Sequence, residues 1–188
     1  QEELGDLPWG EAGLDVLPPE MRGDDYAIYQ YTSGTTRELP EAVKHRYDLT
    51  SMRFVASTGS PCPAEVKRAM IDWWGPVFHE SYAASELGYV TSISSEEALR
   101  KPGAAGRPVG AATVRILDES GRELPRGQVG LIYARQPAYP DFTYNNNAEA
   151  RRAMDRDGLL SLGDMGFVDD EGYLYVCDRA ADMVISGG

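Results

Sequence analysis

Between Arg53 and Phe78 the sequence runs through a short apolar stretch, a polar turn, an amphipathic helix and a second apolar stretch, an order that narrows the fold more than any other feature. Arg53-Phe54-Val55-Ala56 reads as a buried strand that empties into Ser57-Thr58-Gly59-Ser60-Pro61. Pro63 suits a first helical position. Val66, Ala69, Met70, Trp73 and Trp74 follow one another at offsets of three, four, seven and eight from the first, which is one apolar face of a helix. Gly75-Pro76 stops that helix and Val77-Phe78 begins another strand. Upstream, Ala27-Ile28-Tyr29-Gln30-Tyr31 has strand composition and runs into Thr32-Ser33-Gly34-Thr35-Thr36, and a helical pattern spans Arg37 to Tyr47. Alternating strands and helices predict a largely parallel sheet whose ligands sit at the carboxyl ends of the strands.

The style changes after Pro102. Thr113 to Leu117, Gly130 to Ala134, Met165 to Val168 and Tyr173 to Cys177 are short strand candidates, with turns at Asp118-Glu119-Ser120-Gly121 and Asp169-Asp170-Glu171-Gly172 and one helix near Ala148 to Met154. The expected fold is α/β: a mostly parallel sheet with flanking helices, followed by a smaller antiparallel, barrel-like subdomain. The organisation divides into an irregular lead-in over 1–25, an α/β part over 26–110, a β-rich part over 111–180 and a terminal segment over 181–188.

Composition excludes several classes. A net charge of −12 over 188 residues opposes nonspecific binding to nucleic acid or to an anionic membrane, because both depend on Lys and Arg. No apolar run approaches the roughly 20 residues of a membrane-spanning helix, and the acidic start lacks the features of a signal peptide, so a cytoplasmic protein is expected. Cys62 and Cys177 show no metal or redox spacing, and His45 and His79 stand near no nucleophile pattern, which disfavours a hydrolase triad. Trp73 and Trp74 read as core or interface residues.

The loop Thr32-Ser33-Gly34-Thr35-Thr36 places four hydroxyls around a glycine, so side-chain and backbone donors can converge on one anion. It lacks the lysine and spacing of a Walker loop. Alone, such a loop is most often a solvated turn. Its neighbourhood is more specific: Tyr31 to Thr36 resembles the phosphate loop of the adenylate-forming superfamily of acyl-CoA synthetases, luciferases and peptide-synthetase adenylation domains. Four further stretches resemble that family in its order. Gly59-Ser60-Pro61 is similar to its adenine-contacting loop, His79 to Glu86 to its aromatic-to-glutamate motif, and Gly106-Arg107-Pro108-Val109-Gly110 to its turn containing Gly-Arg-Pro. Gly163-Asp164, followed by Asp178-Arg179 and Asp182 to Gly188, resembles its ribose-binding aspartate and hinge.

The resemblance implies an incomplete N-terminal core of a fatty-acid or aromatic-acid CoA ligase, using ATP, Mg²⁺ and coenzyme A to convert a carboxylic acid to an acyl-CoA with release of AMP and pyrophosphate. Thr32, Ser33, Gly34, Thr35 and Thr36 would hold the β- and γ-phosphates, Ser85 would touch the α-phosphate and Glu86 would hold the metal, which makes Thr35, Ser85 and Glu86 the catalytic group. Gly59, Ser60, Pro61 and Tyr82 would surround adenine, Asp164 would accept from the ribose hydroxyls with Arg179 nearby, and Ala84 and Gly88 would line the acyl pocket. Read without the resemblance, Tyr82 is a core aromatic, Glu86 a surface charge and Asp164 a turn residue. A homodimer is compatible with these features.

The chain departs from the family in places. The family continues its phosphate loop with Gly, Pro, Lys and Gly where Arg37 stands, so a stretch is expected to be omitted between Thr36 and Arg37. The C-terminal domain with its lysine would follow Gly188, so the chain is expected to bind nucleotide weakly and not to complete adenylation alone. Ala181 stands at the polar hinge position, Ala83 replaces the usual glycine and Ser85 the usual threonine. A shortened link is expected around Asn145-Asn146-Asn147. A nucleotide-binding module without catalysis and a peptide-synthetase-type domain are the competing expectations.

Overall fold

The computed structural model describes the backbone of residues 27–30 and 48–179 and the side chains of residues 48–177. The expected lead-in, the helix over Arg37 to Tyr47, the Thr36–Arg37 junction and the segment from 181 onward lie outside the described residues. Strand β1 (Ala27–Gln30) pairs in parallel with β2 (Val55–Thr58), which pairs in parallel with β3 (Phe78–Glu80). Helix α1 (Ala64–Trp74) crosses between β2 and β3. β2 begins two residues later than its expected start at Arg53: pairing with both neighbours starts at Val55, and the Arg53 guanidinium donates to the backbone oxygens of Thr50 and Met52.

Pro63 caps α1 rather than opening it: its carbonyl accepts from the Lys67 N–H at 3.0 Å. The buried face is also rotated from the apolar pattern. Lys67, Met70 and Ile71 are buried, Val66 and Trp74 pack beside them, and Ala69 is exposed. A lysine can occupy the inner face because Glu80 on β3 neutralises it there. Gly75 ends the helix as expected, its N–H bonding the Ile71 carbonyl.

After β3 the chain folds a small hairpin, β4 (Ala83–Ala84) with β5 (Gly88–Tyr89), then returns as β6 (Thr91–Ser94), antiparallel to β3. Helix α2 (Ser95–Arg100) starts at a capping box in which Ser94 Oγ accepts from the Glu97 N–H and the Glu97 carboxylate accepts from the Ser94 N–H. β7 (Arg107–Pro108) closes this five-stranded sheet in the order β1-β2-β3-β6-β7. The expected parallel part is present, and two antiparallel strands extend it.

The second sheet contains β8 (Thr113–Leu117), β9 (Gly130–Arg135), β10 (Asp155–Arg156), β11 (Leu159–Leu160), β12 (Asp164–Val168) and β13 (Leu174–Arg179). All its pairings are antiparallel, with β8 on one edge of β9 and β11 and β12 on the other. Both expected turns form around an aspartate: Asp118 Oδ1 accepts from the Arg122 N–H, and Asp169 Oδ1 from the N–H groups of Glu171 and Tyr173. In the asparagine run, Asn147 Oδ1 accepts from the Ala150 N–H and caps α3 (Ala148–Ala153).

The sheets are joined through Ala105 and Gly106. Ala105 donates its N–H to Leu174 O and Gly106 O accepts from Leu174 N, both at 2.8 Å. Gly106 has φ of +100°, and a Cβ there would come within 2.1 Å of the Ser92 backbone, so glycine alone permits this approach. Beside the joint, the Tyr173 hydroxyl donates to Glu97 at 2.7 Å and accepts from Arg100 and Arg107. Lys101 pairs with Asp169 and Glu171 on the same side. Tyr173 itself is wholly buried in the core of the α/β half, with Phe78, Ile93 and Ile71.

Partial burial alone would raise the Glu97 pKa, but the Tyr173 hydroxyl, the Ser94 N–H and Arg107 outweigh it and hold the carboxyl at about 2. A carboxyl depressed in the folded state contributes stability above its ordinary value of 4.5, and that contribution is lost as pH falls through the interval down to about 2. Denaturant unfolding between pH 5 and about 2 should therefore show a shallower acid dependence in Glu97→Gln than in the parent. Gly106→Ala should lower stability by about 2 kcal/mol or more, through overpacking against Ser92 and the left-handed backbone, measured by the same unfolding experiment.

Candidate functional site

The three parallel strands release their loops at one edge. In register Gln30 lies beside Thr58, and Ser57 beside Glu80, so the segments that follow β1, β2 and β3 all leave from the carboxyl side of the sheet. The segment after β1 is Tyr31 to Thr36, whose residues lie outside the described ones. The segment after β2 is Gly59-Ser60-Pro61, where Gly59 takes φ of +93° and is exposed with Pro61, while Ser60 is half-buried. The segment after β3 leads to Tyr82.

The ends of β2 and β3 are tied together by Ser81 N to Ser57 O at 3.0 Å and by Thr58 Oγ1 to Ser81 O at 3.2 Å. Tyr82 is held by its backbone: its N–H donates to Thr91 Oγ1, and its carbonyl accepts from the N–H groups of Val90 and Thr91. Its ring packs against two apolar clusters, one joining Leu87 and Val90 to Ala134 and Leu160 and one around Ile116, Ile132 and Leu174. The Tyr82 hydroxyl donates to Asp164 Oδ2 at 2.7 Å. Asp164 opens β12 and lies opposite Arg179 of β13. The Arg179 side chain is outside the described residues.

Beyond Tyr82, the turn of the β4–β5 hairpin carries Ser85, exposed, and Glu86, half-buried. Leu87, buried to 1% exposure, anchors this turn in the core. Ala84 and Gly88 face each other across the hairpin. Gly88 has φ of +76°, and the Tyr139 ring lies so close to it that an added Cβ would sit 2.5 Å from that ring. Gln136, also buried, fixes the hairpin to the second sheet by donating to Tyr89 O and Val109 O.

Sequence reasoning missed Tyr144. Its hydroxyl donates to Glu86 Oε1 at 2.9 Å, and its ring meets Phe142 edge-on. Partial desolvation, followed by the hydrogen bond to the Glu86 carboxylate and its charge, raises the Tyr144 pKa. No local pattern marks this residue, because its partner is 58 positions away. Sequence reasoning also missed the buried pair beneath the site, in which Lys67 meets Glu80, the Glu80 carboxylate accepts from Cys62 N at 3.3 Å, and Lys67 donates to Ala104 O at 2.7 Å. Burial raises the Glu80 pKa against the opposing pull of Lys67, and it pushes the Cys62 thiol up to about 11 with help from the Glu80 charge. Cys62 is thus an inert thiol at neutral pH.

The structure therefore brings Tyr82 and Asp164 into contact and sets Glu86 at the head of the hairpin that begins just after Tyr82. It places Gly59, Ser60 and Pro61 at the same strand edge. Among the described residues there is no group of three or more His, Cys, Asp or Glu side chains able to hold a metal on its own, and no helix is long and apolar enough to cross a membrane.

The profile of the AMP-binding enzyme family matches residues 37–139. A 2-succinylbenzoate–CoA ligase of Bacillus cytotoxicus is 34% identical over 175 residues, which is 93% of this chain and 36% of that protein. A lysine-to-alanine mutant of the amide bond synthetase McbA from Marinactinospora thermotolerans superposes with a TM-score of 0.71 at 31% identity, covering 77% of this chain and 30% of that one. The O-succinylbenzoate coenzyme A synthetase of Bacillus subtilis, solved in complex with AMP, gives a TM-score of 0.69 at 28% identity over 78% of this chain and 30% of its own. The chain spans well under half the length of each of these proteins. With its parallel strands, their shared loop edge and more than half its length matched by one profile, the chain belongs to the AMP-binding enzyme family.

Proposed function

We propose that this chain is the part of an AMP-forming acyl-CoA synthetase that holds ATP and the carboxylate to be activated. The observation that carries the reading is the hydrogen bond from the Tyr82 hydroxyl to Asp164, between residues 82 positions apart. It sets an aromatic ring and a carboxylate side by side at the edge where the parallel strands release their loops. The ring offers a face to adenine, and the carboxylate accepts from the ribose hydroxyls. The CoA-ligase names of two of the compared relatives support the overall reaction.

In this reaction a carboxylate oxygen of the acid attacks the α-phosphorus of ATP, a P–O bond forms, and pyrophosphate leaves with the electrons of the broken P–O bond. The sulfur of coenzyme A then attacks the acyl carbonyl, and AMP leaves as the thioester forms and the thiol proton is lost. Negative charge grows on phosphate oxygens in the first step, so donors aimed at them stabilise the transition state. Thr32, Ser33, Thr35 and Thr36, with the backbone at Gly34, are assigned to the β- and γ-phosphates and Ser85 to the α-phosphate. Gly59, Ser60 and Pro61 are assigned to the base, Arg179 to the ribose side, and Ala84 and Gly88 to a fatty or aromatic acyl group. The protein is assigned to the cytoplasm, where its substrates are found.

Glu86 fits a magnesium ion. Among the described residues its Oε1 accepts from Tyr144 and its Oε2 makes no hydrogen bond. Mg²⁺ commonly takes one or two carboxylates and completes its shell with waters and substrate phosphates, so a single protein carboxylate meets its needs. When bound, the ion would neutralise charge on the phosphates.

Pyrophosphate release by the full-length protein that contains this chain, assayed against a panel of fatty and aromatic acids, tests the reading; no release with any acid would overturn it, and release without thioester formation would move the protein toward other acceptors such as amines. Asp164→Asn should raise KM for ATP about tenfold while leaving KM for the acid nearly unchanged. Glu86→Gln should lower kcat by about a hundredfold or more. Tyr144→Phe keeps the ring but releases one Glu86 oxygen, and a Mg²⁺ titration should show a severalfold higher half-saturation.

A further inference from the structure

The ion pair of Lys67 and Glu80 touches nothing in the proposed chemistry, yet Glu80 accepts from the backbone of Cys62, the residue after the Gly59-Ser60-Pro61 loop. Lys67 is 1% and Glu80 3% exposed, and Nζ stands 2.5 Å from Oε2. Removing two charges from water is costly, and an apolar pair of similar volume is often as stable or more so. Filling space therefore does not explain the charges. What an apolar pair cannot do is accept a hydrogen bond from Cys62 N and donate one to Ala104 O, as Glu80 and Lys67 do.

Those two backbone partners are informative. Cys62 directly follows the Gly59-Ser60-Pro61 loop, and Glu80 lies two positions before Tyr82. Ala104 adjoins Ala105, whose carbonyl accepts from Thr91 Oγ1 at 2.6 Å, and the same hydroxyl oxygen accepts from Tyr82 N at 3.2 Å. A continuous buried path thus runs from the loop through Glu80 and Lys67 to Ala104-Ala105, and through Thr91 to the backbone of Tyr82. Thr91 is wholly buried, as are its neighbours Val90 and Ile93.

We propose that Lys67 and Glu80 are positioning residues for the base subsite: together with Thr91 they fix the spacing between the Gly59-Ser60-Pro61 loop and the Tyr82 ring, and so set affinity for the adenine end of the nucleotide. The proposal rests on the nucleotide reading of the site. It separates the two ends of ATP, because the pair braces the loop after β2 and the start of the Tyr82 motif, whereas the hydroxyl-rich segment follows β1.

The test compares calorimetric dissociation constants for AMP and for magnesium pyrophosphate in the full chain and three variants. Lys67→Met/Glu80→Leu replaces the pair with apolar groups and leaves Cys62 N without its acceptor. Lys67→Met/Glu80→Gln removes the charges but keeps an acceptor for that N–H. Thr91→Val cuts the other arm of the path. The expected result is AMP affinity lowered about tenfold in the leucine double variant and in Thr91→Val, at unchanged pyrophosphate affinity, with the glutamine double variant intermediate, since it restores an acceptor for Cys62 N but not the Lys67 bond to Ala104 O. Parent-like AMP binding in a folded leucine double variant would overturn the proposal, as would parallel weakening of AMP and pyrophosphate. If that variant does not fold, Thr91→Val and the glutamine double variant decide it: parent-like AMP binding in Thr91→Val, or a glutamine variant with the full loss, would overturn the proposal. Failure of the parent to bind AMP at all would sink the nucleotide reading itself, and the proposal with it.

Discussion

The candidate site exists because two sheets meet through the backbone of Ala105 and Gly106. The reciprocal hydrogen bonds between this short segment and Leu174 dock β13 against the α/β half, and β13 carries β12 paired antiparallel beside it, with a register shift between Met165 and Gly166. Asp164, at the start of β12, is thereby delivered to Tyr82. No side chain at position 106 would permit that approach, since Ser92 occupies the space. The Gly-Arg-Pro turn thus has a structural account that needs no ligand: glycine makes the joint, and Arg107 reaches back to Glu97 and Tyr173 to secure it. The same segment receives Lys67 at Ala104 and Thr91 at Ala105, so the joint between the sheets and the brace beneath the site are one piece of chain.

Much of the local structure was legible because it is written in neighbouring residues. β8 matches its expected limits, the Asp-to-Gly turns form as their composition demands, and Gly75 ends α1. Helix α2 was equally legible and overlooked, since Ser94-Ser95-Glu96-Glu97 is a capping-box pattern. The buried face of α1 was misjudged for a different reason. A count of apolar positions discards lysine, and only the presence of Glu80 opposite makes Lys67 an inner residue. β2 starts at Val55 because pairing with β1 and β3 begins there, which the apolar run from Arg53 did not reveal.

The site was legible in its motifs and not in its contacts. The resemblance named Tyr82, Glu86 and Asp164 one by one, but the residues that hold them are distant in sequence: Tyr144 for Glu86, Thr91 for the Tyr82 backbone, and Tyr82 itself for Asp164. Such pairs carry no periodicity, so no window along the chain detects them. They become visible only when topology has fixed which strand ends share an edge.

Three carboxylates share one kind of partner. Tyr82 donates to Asp164, Tyr144 to Glu86 and Tyr173 to Glu97. A phenol stabilises a carboxylate without cancelling its charge, whereas Lys or Arg would neutralise it. At Glu97, where the role is structural, two arginines also reach the phenol and one of them pairs with the acid, and the group is locked into the joint. At Asp164 and Glu86 the described contacts include a phenol. Under the proposed function, such an orientation would present each carboxylate to its partner, a ribose diol at Asp164 and a divalent ion at Glu86.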